Sequence, residues 1–219
     1  MKRYLPFLIV GVVALLMLGG GVLLYRAKRP PTLTIPNGQR AAANANNETL
    51  HVRGNPKASV TLDEFGDFQC PPCSHLASVI KEVEHNLGDR VRVIFHHFPL
   101  DIHVHARAAA YAAEAAGLQG RFWEMHDLLY KEQAGWTKAA DVPTMFIGYA
   151  GVLGLDMDRF AQDMKSEQVK ERVDSDAKRG YALGVRNTPT VFINNTELPF
   201  ASFNPAGIRA AIDNATAEQ

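Results

Sequence analysis

The chain has 219 residues, 47% apolar and 21% charged, enough for one sizeable folded domain with accessory segments and too few for two large ones. Its formal charge of zero is uneven: residues 1–29 hold five Lys/Arg and no Asp/Glu, which leaves 18 basic against 23 acidic residues, about minus five, in the remainder. A domain of that sign lacks the basic footprint of a nucleic-acid binder, and no such partner is expected.

Lys2 and Arg3 precede Leu5 to Tyr25, 21 residues without a charge, long enough to cross a bilayer as a helix. Arg26, Lys28, Arg29 and two prolines follow directly where a cleavable signal would carry a small-residue cleavage site, so residues 1–29 are read as an uncleaved signal-anchor. Basic residues on both flanks leave the positive-inside rule undecided. Residues 30–50, rich in Pro, Ala, Asn and Gly, have no hydrophobic periodicity and read as a flexible linker, with a reach of roughly 25 Å. The folded domain is expected over 51–219, starting near His51, with Gly54-Asn55-Pro56 as a turn.

Ala58 to Phe65 is a β-leaning run, and Leu76, Val79, Ile80, Val83 and Leu87 recur at helical spacing. Gly88-Asp89 marks a turn, and Val91 to Pro99 is the clearest strand in the chain. Helices are predicted from Ala106 to Ala116, Arg121 to about Glu132, Leu153 to Ser166 and Glu167 to Leu183. Thr190 to Ile193 is a second β-leaning block, Asn194-Asn195 a tight turn into a strand over Glu197 to Phe200, and Pro205 to Ala215 a closing helix.

Between the first strand and first helix stands Cys70-Pro71-Pro72-Cys73, which holds the only two cysteines. At a helix N-terminus, unpaired N–H groups and the positive end of the dipole favour a thiolate, which makes Cys70 the nucleophile. Pro71 suits the first turn, and Cys73 lies one turn on, within reach to resolve a mixed disulfide. Two other readings compete. A zinc site needs four ligands, and without a second cysteine pair it would have to recruit His75, His96, His97, His103 or His105. A structural bridge across so short a loop would restrain little of the unfolded chain.

Strand, helix, strand, a long helical stretch, then hairpin and helix is the order that a thioredoxin-type sheet requires. Phe68-Gln69-Cys70-Pro71-Pro72-Cys73, His96-His97-Phe98-Pro99-Leu100, His105-Ala106, Phe122 to Leu129 and Asn187-Thr188-Pro189-Thr190-Val191-Phe192-Ile193 together resemble the DsbA-like branch of the thioredoxin superfamily, over roughly residues 50–215. The resemblance implies an α/β thioredoxin-like fold with a helical insertion at about 101–186, preceded by one transmembrane helix. It also implies a thiol–disulfide oxidoreductase that works through the Cys70–Cys73 pair without a bound cofactor. Thr188-Pro189 matches the family's cis-proline loop, which faces the dithiol and binds an extended substrate strand. Glu64, six residues before Cys70, matches a glutamate beneath the dithiol. A carboxyl desolvated on an inward strand position has a raised pKa and can exchange a proton with Cys73, while alternation aims Asp63 the other way; a register shifted by one would give Asp63 the role and leave Glu64 a solvated surface charge.

His75 falls off the Cys70–Cys73 face and reads as a solvated helix residue. Alternation sends His96 and His97 to opposite sheet faces, which spoils a compact metal site, and Phe122 and Trp123 read as helix packing. The expected partners are cysteine-containing protein substrates and a redox partner that recycles the dithiol. A lasting disulfide function belongs outside the reducing cytosol, so the domain is expected on the periplasmic or cell-surface side of the membrane. The alternative from another class is a tethered metal carrier that uses the cysteines and nearby histidines.

Overall fold

A computed structural model describes residues 51–217. The expected anchor (1–29) and linker (30–50) lie outside the described residues. Among the described residues no helix is long and apolar enough to cross a membrane.

The architecture is built on β2 (Val60–Gly66), a strand buried along its whole length. Burial on both faces requires both sets of alternating side chains to find company. Leu62, Glu64 and Gly66 face one way; Thr61, Asp63 and Phe65 face the other. β3 (Val91–His97) runs parallel to β2, with Glu64 opposite Phe95, and β4 (Thr190–Ile193) runs antiparallel on its other side, with Glu64 opposite Val191. β1 (His51–Gly54) closes one edge against β3 and β5 (Thr196–Glu197) the other against β4, giving the order β1-β3-β2-β4-β5.

α1 (Pro71–Leu87) is the crossover between β2 and β3. Its buried residues Leu76, Val79, Ile80, Val83 and Leu87 recur every three or four positions, so one stripe faces the sheet. Together with Ile208 and Ile212 of α8 (Pro205–Ala217), they cover the face formed by Val60, Leu62, Val91, Val93, Val191 and Ile193. Each such side chain contributes about 1.5–3 kcal/mol when fully buried. Gly88, at φ 54°, turns the chain out of α1.

Six helices stand between β3 and β4: α2 (Ala106–Gly117), α3 (Phe122–Lys131), α4 (Gln133–Trp136), α5 (Val142–Val152), α6 (Met157–Asp163) and α7 (Glu167–Ala182). The first five, with Phe68, Phe95 and both cysteines, form a second apolar cluster. Ala109, Ala112, Ala113, Ala115 and Ala116 of α2 are fully buried there, because only small side chains let so many helices approach one axis. α7 covers the opposite sheet face, where Phe65, Phe98, Val185 and Phe192 pack together. Its Gly180 is required by that contact, since an added Cβ would lie 2.6 Å from the Phe98 ring.

The fold is thus α/β with a helical insertion, and three local expectations need correction. The helix predicted over Leu153 to Ser166 is shorter, Met157–Asp163, because Gly154 at φ 71° separates it from α5. α5 itself was not expected. The strand predicted over Glu197 to Phe200 is Thr196–Glu197, and Phe200–Ser202 forms a 3₁₀ turn after Pro199.

Candidate active site

Cys70 is the residue immediately ahead of α1, with extended backbone (φ −77°, ψ 118°), and Pro71 and Pro72 occupy the first helical positions. β2 ends at Gly66, and the turn between is fastened by Asp67. Its carbonyl accepts the Cys70 N–H at 3.1 Å, and its buried carboxylate accepts the Gln69 N–H at 2.7 Å and the Leu100 N–H at 2.9 Å. His103 Nδ1 stands 2.7 Å from the same carboxylate, and the His105 N–H donates to Gln69 Oε1 at 2.7 Å. From the far side, the Gln133 side-chain amide donates to the carbonyls of Phe68 (2.7 Å) and Cys70 (3.0 Å). The dithiol loop is thereby held between the segment after β3 and the start of α4.

The two thiols sit in unlike environments. Cys70 is 5% exposed and Cys73 fully buried. The hydrogen bond from the Cys73 side chain is the largest influence on Cys70. Burial opposes it, and the Thr188 side chain and the Cys73 N–H add to it, holding the Cys70 thiol well below the ordinary 9.0, at about 6. Burial pushes the Cys73 thiol up, and its neighbour Cys70 pushes it further. The Thr188–Pro189 peptide is cis. The Thr188 carbonyl accepts the Cys70 S–H at 3.3 Å, and the Thr188 hydroxyl oxygen is buried with no hydrogen-bond partner among the described residues. That hydroxyl is the donor a Cys70 thiolate would use.

Glu64 is 2% exposed and lies within electrostatic reach of both cysteines. Burial raises its carboxyl from 4.5 to about 8. Asp63, as alternation requires, faces the other side, where its carboxylate is 3.1 Å from His96 Nε2. His96 Nδ1 is 3.3 Å from Asp176 of α7. Burial would lower His96, but its bonds to Asp176 and Asp63 outweigh that and raise it.

His75, His96, His97, His103 and His105, the histidines weighed as partners of the cysteines in a metal site, do not converge on the dithiol. His75 is exposed on α1, His96 and His97 lie on opposite sheet faces, and His103 attends Asp67. His97 Nε2 is 2.7 Å from Glu114 Oε1, and His51 Nε2 is 2.8 Å from the same oxygen. Burial alone would raise Glu114; these two contacts outweigh it and hold the carboxyl down at about 2. His51, His97 and Glu114 each bring a ligand atom within 4.8 Å of the others and could hold a metal ion. Among the described residues this is the one such grouping, and neither cysteine belongs to it. Phe122 is buried and stacks on His51 at 3.4 Å, and Arg53 lies 4.3 Å over Trp123, so both aromatic residues pack the insertion against β1.

Residues 46–214 match the thioredoxin family. The chain belongs to the thioredoxin family. In sequence it is 40% identical over 168 residues to the Na(+)/H(+) antiporter NhaA 1 of Salinispora arenicola, a match covering 76% of this chain and 25% of that protein. The chain therefore spans about a quarter of the length of the curated relatives it matches. Its fold is similar to that of BdbD from Bacillus subtilis (TM-score 0.67, 22% identity, 76% of this chain and 92% of that one). It is also similar to a thioredoxin-like oxidoreductase from Silicibacter pomeroyi (0.66, 25%, 78% and 95%) and to DsbA2 from Pseudomonas aeruginosa (0.61, 24%, 75% and 93%). The chain is thus a thioredoxin-family domain with a CXXC pair, and its fold is shared with DsbA structures.

The structure brings together residues that the sequence singles out: Cys70, Cys73 and the Thr188-Pro189 loop, with Glu64 within electrostatic reach of both thiols. Sequence reasoning missed Asp67, Gln133 and Tyr130. Asp67 carries a local signal, an Asx turn onto Gln69 two residues on. Gln133 and Tyr130 carry none, because their importance comes from contacts about 60 residues away in sequence.

Proposed function

We propose that this thioredoxin-family domain is a membrane-tethered, extracytoplasmic thiol–disulfide oxidoreductase that exchanges disulfides with cysteine-bearing polypeptides. The observation that carries the reading is the asymmetry of the pair: Cys70 at a helix start with its pKa depressed to about 6, Cys73 buried with its pKa raised. In the oxidising direction a substrate thiolate attacks Cys70 Sγ of the Cys70–Cys73 disulfide. The sulfur–sulfur bond breaks, and Cys73 leaves with the electron pair and takes a proton from the neutral Glu64 carboxyl. A second substrate thiolate attacks the substrate sulfur held on Cys70, closing the substrate disulfide and releasing the Cys70 thiolate. Two electrons pass from substrate to enzyme, and a separate redox partner must remove them. Thr188 and Pro189 would receive the substrate segment beside Cys70.

The uncharged stretch Leu5 to Tyr25 supports the tether, and the chemistry supports placement outside the reducing cytosol. The experiment is a trap. Cys73→Ala, with the nucleophile intact and the resolving thiol gone, is expected to accumulate covalent mixed disulfides on the extracytoplasmic side. Cys70→Ala is expected to accumulate none, and equal trapping by both variants would overturn the assigned roles.

A further inference from the structure

Two buried polar atoms beneath the dithiol, Glu64 Oε1 and Tyr130 Oη, have no hydrogen-bond partner among the described residues. A buried polar atom left in that state is costly, so each calls for a partner. The sheet cannot give Glu64 one, because the residues opposite it are Phe95 on β3 and Val191 on β4. Gly66 shares Glu64's face of β2, two residues on, about 7 Å along the strand. A Cβ added to Gly66 would lie 3.1 Å from Tyr130 Oη and 2.5 Å from the Phe95 ring. The Tyr130 hydroxyl thus rests against β2 where a side chain at 66 would begin, on the face that Glu64 shares.

Tyr130 is also well fixed. Its ring packs against Phe68 and His126, each with centroids 4.9 Å away, and its carbonyl accepts the hydroxyl of Ser74, the residue after Cys73, at 3.2 Å. It lies within electrostatic reach of Cys73, Glu64, Asp67 and Cys70.

We propose that Tyr130 is a positioning residue for proton transfer at Cys73: through one buried water its hydroxyl hydrogen-bonds the Glu64 carboxyl and holds it toward Cys73 Sγ. This rests on the role given to Glu64 above. When Cys73 leaves as a thiolate, the Glu64 carboxyl gives its proton to Sγ. The carboxylate that forms accepts the hydrogen bond relayed from Tyr130, whose own proton stays on its oxygen. In the reverse direction the carboxylate removes the Cys73 proton, so the thiolate can attack a mixed disulfide on Cys70. The other ionisable groups around Glu64 are Arg53 of β1, which favours the carboxylate, Cys70 and Glu84, which oppose it, and His96 of β3.

Tyr130→Phe removes one oxygen and keeps the ring. The assay is the rate at which Cys73 displaces a cysteine peptide from Cys70, followed from about pH 6 to about pH 10, which brackets the Glu64 midpoint of about 8 and any upward shift of it. Losing one hydrogen bond to a carboxylate predicts a rate about tenfold lower near neutral pH and a midpoint moved to higher pH. The carbonyl stretch of the neutral Glu64 carboxyl should also move in the infrared difference spectrum between oxidised and reduced protein. In a Glu64→Gln background the same substitution should slow the reaction no further. Unchanged rate and midpoint in Tyr130→Phe overturn the proposal, and so does equal slowing in the Glu64→Gln background, which would place the hydroxyl's action elsewhere. If the unmodified protein fails to exchange disulfides with the peptide at all, the functional reading itself falls.

Discussion

Replacing Thr188 by valine keeps the side chain's shape and removes a buried hydroxyl that helps to lower the Cys70 thiol. In the thiol form that oxygen has no partner, so the substitution acts mainly on the ionised state. The Cys70 S–H to Thr188 carbonyl contact, 3.3 Å long, is backbone and survives. A hydrogen bond to a charged group near the low end of its range, about 1.4 kcal/mol, corresponds to one pKa unit. Cys70 should therefore move from about 6 to about 7. At pH 7 its thiolate fraction would fall from about nine-tenths to about half, which weakens the reduced form by about 1 kcal/mol. The disulfide then becomes less oxidising by about 20 mV. Titrating thiolate absorbance against pH gives the first number, and equilibration with glutathione buffers gives the second. An unchanged Cys70 midpoint would refute the assignment of the hydroxyl and leave the helix start and Cys73 as the only stabilising groups.

Other expected outcomes follow from the same site. Pro72 is exposed at the second helical position and offers neither charge nor N–H, so Pro72→His should lower the Cys70 pKa by about half a unit and shift the potential in the oxidising direction. The effect should be present at pH 6 and fade by pH 8 as the imidazole loses its proton, and glutathione equilibration at the two pH values checks this. Glu64 binds its proton more tightly folded than unfolded, so between 4.5 and about 8 the unfolded state holds fewer protons and stability falls as pH rises. At pH 7 that loss is about 3 kcal/mol, which Glu64→Gln should recover while removing the slope; denaturant unfolding of the reduced protein at several pH values measures it.

What was legible in the sequence was local. The stripe Leu76, Val79, Ile80, Val83, Leu87 lies on one turn-by-turn face, and Thr190 to Ile193 is a strand with the bounds its residues suggest. Cys70 and Cys73 declare themselves because their spacing is itself the chemistry. β1 was not legible: His-Val-Arg-Gly has no apolar alternation, and it is a strand because β3 offers it an edge. α5 hid for the opposite reason, since Val142 to Val152 is apolar on every side and its periodicity is flat, although Asp141, which accepts the Thr144 N–H, is a helix-start signal. The site followed the same division. Glu64 could be aimed by counting along its strand, but the Thr188 carbonyl meets Cys70 across 118 residues and Tyr130 reaches Ser74 across 56, and no spacing rule joins them.

The register of β1 has a consequence for how the domain can be handled from its amino-terminal side. His51 stands opposite Phe95, which is level with Glu64, so the described chain enters the sheet at the end where β2 runs out toward Cys70. The entry strand is also riveted crosswise: Arg53 reaches Glu84 on α1 at 2.8 Å and Asp127 on α3 at 3.0 Å. A load applied ahead of His51 would therefore be shared at once by the helix that bears the cysteines and by the insertion. Whatever holds the chain there holds it by its working end.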